Sequence, residues 1–240
     1  MKLLSEAKKV KRTGFFPAFL GGAALAAAFP ILNTAVRGES YLAKPGEPLQ
    51  ILLDANWQMA AMLNVLFLVA GACLFYHTEY ADNAMGRMRS LPVRGSALFL
   101  GKAGVMALMC LLMLTAEAGA VAFCVCRWFE IGEGFWAELG RNFGYSFLLT
   151  LPCAILSLLI AECCRNLWIS LGIGVICVFL AAMLPMDHFV LSLFPYALPF
   201  QTLAGAEGAQ GMRYCLAAAA ELAAFSLAEP ISVKVRRGLE

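Results

Sequence analysis

From Ala55 to Thr78, and again from Thr13 to Val36, the chain carries no charged side chain. Each run reaches the ~20 residues a helix needs to cross a hydrocarbon core and exceeds the apolar core of a typical secretion signal. In lipid a spanning segment must satisfy its own backbone hydrogen bonds, so such runs fold as helices. The pattern recurs with one charge, Glu117, between Ala103 and Cys126, then over Asn142–Ala161, Asn166–Met186 and Met212–Val233, the last with Glu221 and Glu229. With 61% hydrophobic residues, the chain is only 14% charged, against about 25% for soluble domains. The expected fold class is therefore an all-α integral membrane protein, one transmembrane domain over residues 1–240 with six transmembrane helices at 14–36, 55–78, 103–126, 142–161, 166–186 and 212–233.

The charges between these runs predict orientation. Residues 77–102 form the long polar passage between two apolar segments and carry Arg87, Arg89, Arg94 and Lys102, which assigns the loop to the cytoplasm. Glu79 and Asp82 precede Arg87 and Arg89 as the dipole of a short helix prefers, Pro92 then breaks it, and Gly95-Ser96 restarts a helix. Residues 1–13 place Leu3, Leu4, Ala7 and Val10 on one face among lysines, the pattern of an amphipathic helix on an anionic leaflet. Arg37 to Asp54, with Pro45, Gly46 and Pro48, has loop chemistry and is expected outside, as is Arg127 to Arg141 with its aromatic residues; Glu162 to Arg165 forms a tight cytoplasmic turn.

Residues 188–210 are uncharged and long, yet interrupted by Pro195, Pro199 and Gly205. A seventh span there would put Lys234, Arg236 and Arg237 outside. With six spans, 13 of the 18 Lys and Arg residues lie inside, along with both termini. The segment therefore reads as an external re-entrant or interfacial element before the last helix. A net charge of +2 is too small to suggest nucleic acid; the lipid bilayer is the implied environment.

Glu79-Tyr80 at the end of one span, Asn83, a short helix bearing Arg87, then Arg89-Ser90-Leu91-Pro92-Val93-Arg94 and an apolar run closed by Gly101-Lys102 resemble the membrane subunits of type-2 ABC exporters. Within that class the Glu-Tyr, Asn83 and Leu-Pro-Val-Arg pattern and the chain length are most similar to permeases of lantibiotic (bacteriocin) self-protection exporters. The resemblance implies a coupling helix in the 77–102 loop, with Glu79, Tyr80, Asn83, Arg87, Arg89, Ser90, Leu91, Pro92, Val93 and Arg94 as ATPase-coupling residues. Residues 1–13 become the elbow helix. It further implies ABC ATPase subunits as partners, a second copy or a homologous permease, a bacterial cytoplasmic membrane, and export of an antimicrobial peptide. An exporter of another hydrophobic drug or lipid fits the composition equally well.

No nucleotide site is present in the motifs. Gly95 to Ala103 has five residues between its glycines and Ala where a magnesium-holding Ser or Thr would stand, so ATP and magnesium are expected on the partner and no cofactor on this chain. Neither a catalytic elbow nor a His-Glu-x-x-His pattern argues for an enzyme, and His77 and His188 are isolated. The nine cysteines lack metal-site spacing and read as small apolar filler. Glu117 and Glu221 are different: an ionisable group near the middle of a span costs about 2.5–3.5 kcal/mol on insertion scales. They mark a substrate path, the site of an autonomous ion-coupled carrier, or protonated carboxyls bonded between helices. Gly21, Gly22, Ala26, Ala217–Ala220 and the Gly140/Gly144 pair permit close helix approach, chiefly within the chain.

Overall fold

The computed structural model describes residues 10–11, 14–81, 95–164, 166–184, 188–204 and 208–239, and for 81, 95–97 and 229–239 the backbone alone. Those residues form helices joined by turns and short irregular stretches, with no strand among them. The helices are α1 (Phe15–Leu42), α2 (Pro48–Ala81), α3 (Gly95–Trp128), α4 (Phe135–Cys163), α5 (Leu167–Met183), α6 (Phe189–Ser192) and α7 (Gly208–Leu239), with a 3-10 turn at Leu198–Phe200. Among the described residues α1 to α4 are long and apolar enough to cross a membrane, and α5 is a shorter apolar helix of 17 residues.

The helices run beyond the uncharged segments. The expected loop from Arg37 to Asp54 shrinks to 43–47, because α1 continues to Leu42 through non-helical torsions at Arg37 (φ −116°, ψ 16°) and α2 begins at Pro48. Proline suits a first helical turn, where its missing N–H would have no intrahelical acceptor. Gly46 makes the reversal with φ 136°, a region that penalises any side chain. Likewise the expected external stretch 127–141 reduces to a turn, since α3 ends at Trp128 and α4 starts at Phe135 after Gly134 at φ 89°. Helix α4 continues through Glu162 to Cys163, and Asn166 caps α5 by accepting from the Trp168 N–H at 2.9 Å.

Helix α2 is the centre of the bundle, touching α1, α3, α4, α5 and the 3-10 turn; α7 packs mainly on α4. Close packing with α1 rests on two reciprocal fits. Phe67 of α2 lies over Gly22 of α1, and Phe19 of α1 lies over Gly71 of α2, leaving no room for a Cβ at either glycine. Gly174 of α5 meets Val69 of α2 in the same way. Gly140 and Gly144, by contrast, have no neighbour within 4 Å of a would-be Cβ, so among the described residues they make no close approach. On α4 Asn142, Ser146 and Thr150 each donate to the carbonyl four residues earlier.

Between α5 and α7 the chain does not form a full-length helix over 188–204. Tyr196, Ala197, Leu198 and Phe200 are buried in the bundle. The Tyr196 hydroxyl pairs with Ser157 Oγ of α4 at 3.1 Å, and Trp57 Nε1 of α2 donates to the Pro199 carbonyl at 3.1 Å. Trp57→Phe strands that carbonyl and is expected to lower stability by about 1–3 kcal/mol, read as a drop in the thermal transition in detergent with faster proteolysis within 188–204. An unchanged transition would mean that water already reaches the carbonyl.

Candidate functional site

Two polar clusters stand out inside this apolar bundle. The first joins the two helices that flank residues 82–94. Glu79 lies two residues from the end of α2, and Lys102 about two turns into α3. Their side chains meet, Lys102 Nζ to Glu79 Oε2 at 2.6 Å, both almost fully buried. The ammonium also sits 4.1 Å from the centre of the Tyr76 ring, a cation–π placement that favours charge where water is scarce. Tyr76, Glu79 and Tyr80 share one helical face because they are three and four residues apart. Tyr80 donates to the Glu162 carbonyl at 2.6 Å and Tyr76 to Glu162 Oε2 at 3.4 Å. Thus α2, α3 and the end of α4 are fastened together at the base of the 82–94 passage.

Two of the expected coupling residues, Glu79 and Tyr80, therefore turn their side chains between helices. Asn83, Arg87, Arg89, Ser90, Leu91, Pro92, Val93 and Arg94 lie outside the described residues, as do residues 1–9 of the expected elbow helix. Lys102 departs from expectation. It lies on the helix expected to restart at Gly95-Ser96, but it is buried inside the bundle instead of closing the polar passage, because the anion of Glu79 stabilises its charge there. Tyr76 and Glu162 join the cluster without having been expected in it; the tyrosine face at 76 and 80 is the signal in the sequence that points to them.

The second cluster lies in the interior. Glu117 on α3 is 2% exposed and accepts at Oε2 from Asn64 Nδ2 of α2 at 3.0 Å. Among the described residues its Oε1, and Asn64 Oδ1, have no hydrogen-bond partner. Nearby, Asn33 of α1 donates to Asn56 Oδ1 at 2.7 Å and Asn56 to the Leu52 carbonyl at 2.8 Å, so that amide is used on both sides. A crevice of only about 10 Å³ lies beside Glu117, lined by Pro30, Leu53, Asn56, Trp57, Ala60 and Phe143 among others. Asn56 and Asn64 are asparagines within the apolar run of α2, and that interruption is the signal in the sequence that marks them.

Glu221 stands apart. It lies on α7 close enough to Cys153 of α4 to interact electrostatically, half-buried, with Oε2 unpartnered among the described residues. Glu117 and Glu221 share no hydrogen-bond partner among the described residues. Nor does any group of three or more His, Cys, Asp or Glu among them offer to hold a metal ion.

Long apolar helices carrying buried polar clusters define a multi-pass membrane protein. The chain matches the family described as ABC-2 family transporter protein over residues 3–181, and it belongs to that family. Its members are membrane transport subunits that typically work with separate ABC ATPase partners. Comparison with curated proteins and with solved structures gives no match.

Proposed function

We propose that this chain is the membrane-spanning permease subunit of an ATP-driven exporter whose cargo is a lantibiotic-like antimicrobial peptide, expelled for self-protection. Six helices cross a bacterial cytoplasmic membrane with both termini in the cytoplasm, α5 and α7 completing the set begun by α1–α4. The 188–210 segment is the external re-entrant element, and residues 1–13 are the elbow helix. Two permeases, identical or homologous, combine with two ATPase subunits that bind ATP and magnesium.

The observation that carries this reading is the buried Glu79–Lys102 pair, which supports a lever. Closure of the ATPases pushes on the 82–94 passage through Arg89 and the Leu91-Pro92-Val93 corner. Because the helices on either side are fastened by an ion pair shielded from water, the push moves α2 and α3 together instead of bending one against the other. Helix α2 touches α1, α4 and α5, so the displacement repacks the whole subunit. Glu117 and Glu221 lie on the path of the cargo.

Leu91→Asp puts a charge into the contact with the ATPase. The expected result is association weakened by at least about tenfold, or ~1.4 kcal/mol, with loss of permease-stimulated ATP hydrolysis and little change in folding. Co-purification from native membranes in mild detergent, followed by an ATPase assay, reads both. Unchanged assembly and stimulation would overturn the coupling assignment.

A further inference from the structure

At the end of the bundle opposite the Glu79–Lys102 pair, a groove of about 680 Å³ opens between the last turns of α1 and Trp128 at the end of α3. Sites for small molecules run from roughly 300 to 1,000 Å³, so this one has the room. Arg37 is the first charge after the uncharged run from Thr13, which puts the groove where α1 leaves the hydrocarbon. Side chains two apart on a regular helix point away from each other, yet Arg37 and Glu39 both line the groove, because α1 is broken by the non-helical torsions at Arg37. Both are exposed, and among the described residues neither makes an ion pair or a side-chain hydrogen bond.

The walls narrow the chemistry of what fits. Trp128 lays its Cδ1 and Nε1 over Gly38, 3.5 and 3.6 Å from where a Cβ would stand, and Nε1 has no acceptor among the described residues. A guanidinium matches two oxygens of a phosphate, and the indole N–H supplies a further donor beside it. Glu39 answers with one negative charge, so the groove is neutral and suits a ligand that carries both signs. The aromatic rings decide which cation. Trp128 already faces the Arg127 guanidinium at 5.6 Å, and Tyr41 in the same stretch faces the Lys44 ammonium at 5.5 Å. With those rings engaged by the chain's own cations, a quaternary ammonium, which cannot donate, gains less here than a primary ammonium that hydrogen-bonds to Glu39. Val36, 83% exposed, continues the bare apolar row of Leu32 one turn earlier, a track for a hydrocarbon chain.

We propose that the groove formed by Arg37, Glu39 and Trp128 holds one zwitterionic aminophospholipid of the phosphatidylethanolamine type. Its phosphate sits on Arg37 and Trp128 Nε1, its ammonium on Glu39, and its acyl chains lie along Val36 and Leu32. The site requires only that the chain spans a membrane; neither the cargo nor the ATPase takes part in it.

The test titrates the full chain, in mild detergent, with phosphatidylethanolamine, phosphatidylcholine and phosphatidylglycerol of matched acyl chains, and counts bound lipid by native mass spectrometry. One saturable phosphatidylethanolamine is expected, the other two binding about fivefold more weakly, the upper end for an ion pair at an exposed site. Because both charges are exposed and make no contact of this kind within the chain, their neutral variants should fold. Glu39→Gln is expected to bring phosphatidylethanolamine down to the affinity of phosphatidylcholine while leaving the latter unchanged. Arg37→Gln is expected to weaken both by about fivefold. Equal affinity of the parent for the three lipids, or a preference for phosphatidylethanolamine that survives in Glu39→Gln, would overturn the assignment; the ranking by the parent tests it even if a variant does not fold. Soluble glycerophosphoethanolamine binding as tightly as the lipid would overturn the role of the apolar track and with it the phospholipid. A disulfide-linked dimer formed in nanodiscs by Val36→Cys, and not by the parent, would seat a second copy of the chain on the groove and overturn the proposal too.

Discussion

Lys102→Met is expected to lower the unfolding free energy by about 3–5 kcal/mol, the range found when one partner of a buried ion pair is removed. Met keeps most of the volume, so the loss is one of charge: Glu79 stays buried between α2 and α3 without the ammonium that lies 2.6 Å away. The rescue is the sharper part of the result. Glu79→Gln combined with Lys102→Met removes both charges and is expected to regain most of the loss, because a buried pair contributes little over a neutral replacement of similar shape. Chemical unfolding in mixed micelles measures both variants against the parent. A loss below ~1 kcal/mol for Lys102→Met would class the pair with solvent-exposed bridges and remove the basis for a rigid lever.

Gly174→Ala should be the most damaging methyl that can be added to α5. Its Cβ would collide with Val69 on α2, and Val69 cannot turn aside because a β-branched side chain in a helix is held to one rotamer. Overpacking of this kind costs about 1–3 kcal/mol. The expected phenotype is loss of contact between α5 and α2, seen as a lower thermal transition and as weakened protection of Cys73 from thiol reagents, since Cys73 Sγ lies 3.2 Å from Ser170 Oγ across the same contact. Val69→Ala in the Gly174→Ala background returns the space and should restore both readings. If the double variant is no better than the single one, α5 is held mainly by something other than this fit.

The helices are legible in the sequence because uncharged runs leave a chain in lipid one economical way to satisfy its backbone. Their ends are not. Cutting each run at its first charge places Arg37–Asp54 in a loop, whereas a helix continues past charges once they reach water, as α1 does to Leu42. Lys102 is misplaced for the opposite reason, since a lysine reads as surface unless its counter-charge is known, and Glu79 lies 23 residues earlier. Glu117 stands out in the sequence as a group that needs explaining, but its partner is hidden there. Nothing in the spacing of Asn64 and Glu117 says that α2 and α3 bring them to 3.0 Å; only packing does. The interrupted segment at 188–204 is marked by its prolines, while its contacts with Trp57 and Ser157 depend on the arrangement of α2 and α4.

The crossed fits between α1 and α2 bear on how such a subunit can move. Each helix supplies one tooth and one notch: Phe19 and Gly22 on α1 mesh with Gly71 and Phe67 on α2. A slide of α1 along α2 by one turn, about 5.4 Å, would drive a phenyl ring into a position where the facing residue has a side chain. The two helices are thus geared against translation, and strokes that rotate the pair as a unit are the ones left open to it.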